Sequence, residues 1–222
     1  MRLATDGATV AVTHPVSDGS EEVLAAIRVD GHTCSAVEAD NSDPAAVRAA
    51  IRQIAGAHGR LDILVNNAGV IRTAPIDDMD IADFDLLFAV NVRGAFVASQ
   101  EAASHMRSGG RIIMIGSCTA DRMPFVGGSA YAMSKAAIAG MARGMARDLG
   151  GRGITVNTVQ PGPTDTDLNP AAGPNADIQK LMLAIDRFAR ADEIAGLVAY
   201  LASDEAAFVT GASLTIDGGY NA

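Results

Sequence analysis

The sequence predicts an α/β fold, a Rossmann-like three-layer αβα sandwich around a parallel sheet, and three observations carry that reading. Short β-branched runs alternate with longer amphipathic stretches. The runs are apolar on both faces, as strands sandwiched between two helical layers must be. Helix boundaries carry the residues that start and stop helices. At 222 residues the chain suffices for one domain with a substantial core.

In chain order, strands are expected at ATVAVTH (8–14), DILVN (62–66), RIIMIG (111–116), ITVNTV (154–159) and SLTID (213–217). A helix is expected from Pro44 to His58, with Val47, Ile51 and Ile54 on one stripe. Asp43 supplies its N-cap, proline takes its first position and Gly59 closes it. Another helix begins at Tyr131 and continues through Ala136, Ala137, Ile138 and Met141. The stretch 161–175, rich in Pro, Gly, Asp, Thr and Asn, reads as a lid or binding loop. No repeat or linker divides the chain, so residues 1–222 are expected to form one domain.

Composition excludes several classes of partner. The net charge is −9 and no Lys/Arg cluster occurs, which argues against a nucleic-acid polymer or an anionic membrane. No apolar run approaches the roughly 20 residues of a membrane span. MRLATDGATV does not read as a signal peptide, and a cytoplasmic protein is expected. Cys34 and Cys118 lie far apart without CxxC spacing and are expected to be reduced thiols. His14, His32, His58 and His105 lack metal-ligand spacing, so no metal site is expected.

The chain uses arginine almost throughout and has only two lysines, Lys135 and Lys180. Lys180, in DIQKLML, reads as a helix-surface residue. Lys135 follows Tyr131 by four positions, which places both side chains on one helix face. A neighbouring ammonium favours a phenolate, so Lys135 is expected to lower the tyrosine pKa and make it a general acid–base. YxxxK alone is weak evidence, because a surface pair would look the same. Its context is more specific. RIIMIG runs a buried strand into Ser117, at the carboxyl end where open α/β sheets bind ligands. Asn66-Asn67-Ala68-Gly69 also follows a strand, and Gly69 permits close backbone approach. Asn91, polar among apolar neighbours in FAVNVRGAF, is either an ordinary buried amide or the mark of a helix distortion that holds a water near Lys135.

Taken in order, NNAG, NVRGAF, the strand into Ser117, YAMSK, QPGPTDT and FVTGASLTIDGG resemble the short-chain dehydrogenase/reductase family over essentially the whole chain. The resemblance implies that Tyr131 is the acid–base, that Ser117 polarises the substrate carbonyl, and that Asn91 supports a proton relay. It gives Lys135 a second task, bonding the nicotinamide ribose. Asn67, Ala68 and Gly69 would line the cofactor, with Asp40 and Asn41 beside the adenine. After Pro161 and Gly162, Thr164 and Thr166 would meet the carboxamide and pyrophosphate. Homodimers or homotetramers are implied, through the long helices near 83–106 and 130–149 and the C-terminal strand.

The sequence departs from the family pattern at two places. Many members place the serine thirteen positions before the tyrosine, which is Cys118 here; Ser117 precedes it by fourteen. Ser117 is preferred, because it ends the strand and a thiol is a poorer donor to an oxyanion. The family also opens with a strand and a glycine-rich turn, whereas MRLATDGATV resembles the end of the following helix and then the second strand. The fold is therefore expected to lack the first strand, leaving its two neighbours with unpaired ladder groups and prone to fold poorly, rearrange or bind dinucleotide weakly. A truncated record or misassigned start is the expected explanation.

Val12-Thr13-His14-Pro15 ends the first expected strand without a carboxylate that would repel a 2′-phosphate. Thr13 can donate a hydrogen bond and His14 can become a cation, so NADP(H) is expected in preference to NAD(H). Met123, Phe125, Val126, Leu181 and Met182 would give an apolar pocket for a small carbonyl or alcohol substrate. The main expectation is an NADP(H)-dependent oxidoreductase. A second arises because GSCTADRMP, QPGPTDTDLNPAAGP and FVTGASLTIDGG are similar to a bacterial subgroup described as cyclic-di-GMP-binding biofilm-dispersal proteins, a regulator without essential turnover. A non-catalytic assembly subunit ranks third.

Overall fold

A computed structural model describes residues 1–15 and 20–222. A one-turn helix α1 (Arg2–Thr5) leads into β1 (Val10–His14), α2 (Ser20–Val29), β2 (Cys34–Glu38), α3 (Pro44–His58) and β3 (Ile63–Asn66). Then come α4 (Ile81–Leu87), a π-helical segment (Phe88–Gly94), α5 (Ala95–His105), β4 (Arg111–Ile115), α6 (Ser129–Gly150) and β5 (Thr155–Pro161). The short α7 (Ala176–Lys180), α8 (Ala191–Ala202) and β6 (Ser213–Ile216) complete the chain. Short 3₁₀ turns cover Cys118–Ala120 and Asp204–Ala206.

All strand pairing is parallel. The strands form two sheets, β1-β2 and β3-β4-β5-β6. β1 and β3 each have one edge without a ladder partner among the described residues, as expected of a sheet interrupted between them. The two groups stay apart instead of closing onto each other.

Helices cover both faces. On one face α3, α5 and α6 bury Ile51, Ala102, Ile138 and Ala142 against Ile112, Met114 and Val156. On the other, α8 buries Val198 and Leu201 against Ile113 and Val159. Because β4 is apolar on both faces, Ile112, Ile113 and Met114 are at most 1% exposed.

The α3 boundaries follow the sequence signals. The Asp43 side chain accepts a hydrogen bond from Ala45 N at 2.8 Å, and Gly59 closes the helix at φ 70°, a left-handed conformation that glycine adopts without strain. The strand β2 was not expected. CSAVE holds one β-branched residue, and its pairing with β1, not its composition, makes it a strand.

Candidate active site

The carboxyl end of β4 delivers Ser117, whose hydroxyl accepts from Thr119 N at 3.2 Å and from Thr119 Oγ1 at 2.8 Å. These bonds make Ser117 the cap of the 3₁₀ turn that begins at Cys118. Across from it, near the start of α6, stands Tyr131, and the Ser117 side chain hydrogen-bonds its phenol. Cys118 is turned into the protein, 2% exposed. Burial and the nearby Asp217 carboxylate push its thiol up to about 12, so it holds its proton and is a weak donor. Of the two candidates separated by one residue, only Ser117 bonds the tyrosine.

One turn along α6, Lys135 is 5% exposed. Its ammonium donates to Ile115 O at 3.1 Å and lies 5.8 Å from the centre of the Tyr131 ring. Burial lowers the Lys135 pKa to about 8. Tyr131 moves the opposite way from expectation. Burial raises its pKa above 10.0, the Ser117 bond opposes this, and Lys135 contributes nothing resolved. The expected lowering fails because Lys135 lies over the ring and bonds a strand carbonyl instead of the phenolic oxygen.

Asn91 lies within the π-helical segment, so the distortion expected at this polar position is present. Its side chain is 1% exposed. Asn91 Oδ1 accepts from Val70 N at 2.9 Å, while Nδ2 donates to Val70 O at 3.0 Å and to Ser134 Oγ at 3.1 Å. The amide therefore ties the loop after β3 to α6, and this side chain is the ordinary buried amide of the blander reading. Gly69 lies between them. A Cβ there would approach Lys135 Nζ at 3.4 Å and Asn91 Oδ1 at 3.5 Å.

The residues expected along the cofactor fall into three groups. Thr13, His14, Asn41, Asn67 and Ala68 all border one cleft between β1 and β3. His14 Nδ1 is 2.8 Å from Pro15 O; a carbonyl only accepts, so Nδ1 carries the proton and Nε2 is the basic nitrogen. Asp40 is exposed, and its carboxylate is held below the usual range by bonds from Ser42. Pro161 ends β5 opposite Ile216, and Gly162 packs so closely on Asp217 that a Cβ would meet its Cα at 2.6 Å. Thr164 Oγ1 donates to Gly162 O at 2.9 Å, and Thr166 Oγ1 accepts from Asn169 N at 3.3 Å, so both hydroxyls shape the loop.

Sequence reasoning missed the C-terminal segment. Asn221 Nδ2 donates to Cys118 O at 2.8 Å, and Arg122 Nη1 donates to Tyr220 O at 2.8 Å. Asp217 accepts from Gly219 N and Asn221 N, which folds the chain back over residues 118–122. The turn in IDGGYNA was readable from its two glycines, but its partner about a hundred residues away was not.

Comparison with known proteins agrees with this arrangement. A family model described as Enoyl-(Acyl carrier protein) reductase matches residues 1–221. The chain is 49% identical over 221 residues to the cyclic-di-GMP-binding biofilm dispersal mediator protein of Escherichia coli, covering 100% of this chain and 90% of that one. A short-chain dehydrogenase/reductase from Serratia marcescens is 54% identical with a TM-score of 0.97, covering 100% of this chain and 91% of the other. A short-chain dehydrogenase from Burkholderia cenocepacia, solved in complex with NADP, is 51% identical with a TM-score of 0.97 and the same coverage. The chain therefore belongs to the short-chain dehydrogenase/reductase family of oxidoreductases.

Proposed function

We propose that this protein is an NADP(H)-dependent carbonyl reductase, or an alcohol dehydrogenase in the reverse direction, in which Tyr131 is the general acid–base. One observation carries the reading: Ser117 and Tyr131 are hydrogen-bonded to each other at the carboxyl end of a buried strand, backed by a buried lysine. A carbonyl oxygen placed between two such hydroxyls is held and polarised by both. Bound nicotinamide supplies the hydride to the carbonyl carbon. The oxygen gains negative charge as that bond forms, and the Tyr131 proton neutralises it. A phenol held above its ordinary pKa keeps that proton at neutral pH, in the donating form.

The residues present fit the cofactor. Among the described residues the Lys135 ammonium, with three donors, has one acceptor, Ile115 O, and so retains donors for ribose hydroxyls. The end of β1 offers the exposed Thr13 and the basic Nε2 of His14, with no carboxylate between Val12 and Pro15. That donor set suits a 2′-phosphate, and the NADP complex of the Burkholderia relative supports the preference. Phe125, Val126 and Leu181 are exposed and give an apolar mouth suited to a small, neutral ketone or aldehyde. We also propose a homo-oligomer in the cytoplasm; among the described residues no helix is long and apolar enough to cross a membrane.

The test is turnover of a panel of small carbonyls with NADPH and with NADH. Tyr131→Phe should lower kcat by about 10²–10⁴-fold, the usual worth of a positioned general acid. Full activity in that variant would remove Tyr131 from the proton-transfer role. A second reading, a cyclic-di-GMP-binding regulator, is favoured by the 49% identity to the Escherichia coli mediator. Saturable binding of cyclic-di-GMP without carbonyl turnover would put that reading first.

A further inference from the structure

A cavity of about 910 Å³ runs between the facing edges of β1 and β3. Its floor and roof are apolar: Leu3 and Val23 come from α1 and α2, Val47 and Ile51 from α3, and Ala95 and Ala98 from α5. Its two long sides are backbone. Among the described residues β1 bonds only β2 and β3 bonds only β4, so both sides present rows of amide and carbonyl groups. The chain passes from β2 to β3 through α3, a crossover of the kind that joins strands running in the same direction.

Burial marks the same place. Ile63, Leu64 and Val65 are apolar on both faces, like β4 beside them, yet each is only half-buried while Ile112 and Ile113 are at most 1% exposed. β1 is half-buried likewise at Val10, Ala11 and Val12. Size supports the match. A five-residue strand, rising about 3.3 Å per residue, spaced about 4.8 Å from its neighbour and spanning a layer about 10 Å thick, occupies roughly 800 Å³. The matched relatives are longer than this chain: it is covered completely and yet spans 91% of the Serratia protein and 90% of the Escherichia coli protein.

We propose that this cleft is a strand-acceptor site. It seats one apolar strand of about five residues, parallel to β1 and β3 and bonded to both, and so joins the two sheets into one. The occupant is the segment by which the longer relatives exceed this chain, offered as a separate peptide. β-branched residues suit it, because the helices on both faces demand apolar side chains at every position. The inference rests on the sheet edges and stands apart from the proposed reaction.

The experiment uses the 222-residue chain and a synthetic peptide of the part of the Serratia marcescens relative that lies outside the match. The two are diluted together from denaturant, and amide hydrogen exchange is followed by residue. Peptide should slow exchange at least tenfold in both Val10–His14 and Ile63–Asn66, while β5 and β6 stay unchanged. Proline at the middle of the peptide strand removes a ladder donor and should abolish the protection, with the protein itself unaltered. Protection equal with both peptides, or confined to one edge, would overturn the proposal. So would both edges being protected without peptide, and light scattering would then show whether a second copy covers them.

Discussion

Lys135 carries the most exposed consequence of the site's burial. Its folded-state pKa of about 8, against 10.5 for the free side chain, means that folding favours the neutral amine. Between those values the unfolded chain binds more protons, so stability rises with pH through this window. Below about pH 8 both states are charged and the full burial penalty applies, on the order of 3 kcal/mol. Lys135→Met should flatten the rise, and unfolding free energies of the two proteins at pH 7.5 and 10.5 check it. Parallel curves would mean that the ammonium is solvated. Tyr131, Ser117 and Lys135 were all legible in the sequence, because spacing on a helix and the end of an apolar strand are local features. The direction of the tyrosine shift was not. YxxxK shows that two side chains share a helix face, but not how deeply the phenol is buried or that the lysine bonds Ile115.

At the scale of elements, the π-helical segment Phe88–Gly94 organises the site from behind. A π turn widens the helix and leaves carbonyls without their usual partners. One of these, Val90 O, accepts from Asn41 Nδ2 at 2.8 Å, which docks the loop after β2 onto the helix. Gly94 lies against that loop so closely that a Cβ would overlap the Asn41 backbone carbonyl. Gly94→Ala should therefore destabilise the protein by about 1–3 kcal/mol, the usual cost of overpacking. Denaturant midpoints measure this, and an unchanged midpoint would show that the loop yields freely. The polar residue in FAVNVRGAF signalled the distortion in advance. The dependence of Asn41 on it was invisible, because the two positions are 49 residues apart in the chain. β2 was illegible for a related reason: CSAVE is made a strand by β1 and not by its own composition.

At the scale of the molecule, the sequence predicted the parallel sheet and its helical layers because buried strands are apolar throughout and helices are apolar on one stripe. It also pointed to the interruption beside β1, which the structure displays as two sheets flanking an apolar cleft. The C-terminal segment over residues 118–122 escaped notice, since its contacts are long-range and made by backbone carbonyls. The site thus has two parts. One is the Ser117–Tyr131–Lys135 cluster, and the other is the carboxyl end of the cleft bordered by Thr13, His14 and Asn67. An oxidoreductase needs both, whereas a nucleotide-binding regulator needs only a place to bind. The most direct measurement that separates them is isotope transfer, with NADPH carrying deuterium at the transferable position and a small ketone as acceptor. Deuterium on the carbinol carbon of the product, transferred more slowly by about 10²–10⁴-fold in Tyr131→Phe, is the predicted result. Binding of NADPH with no label in any product across the carbonyl panel would contradict it.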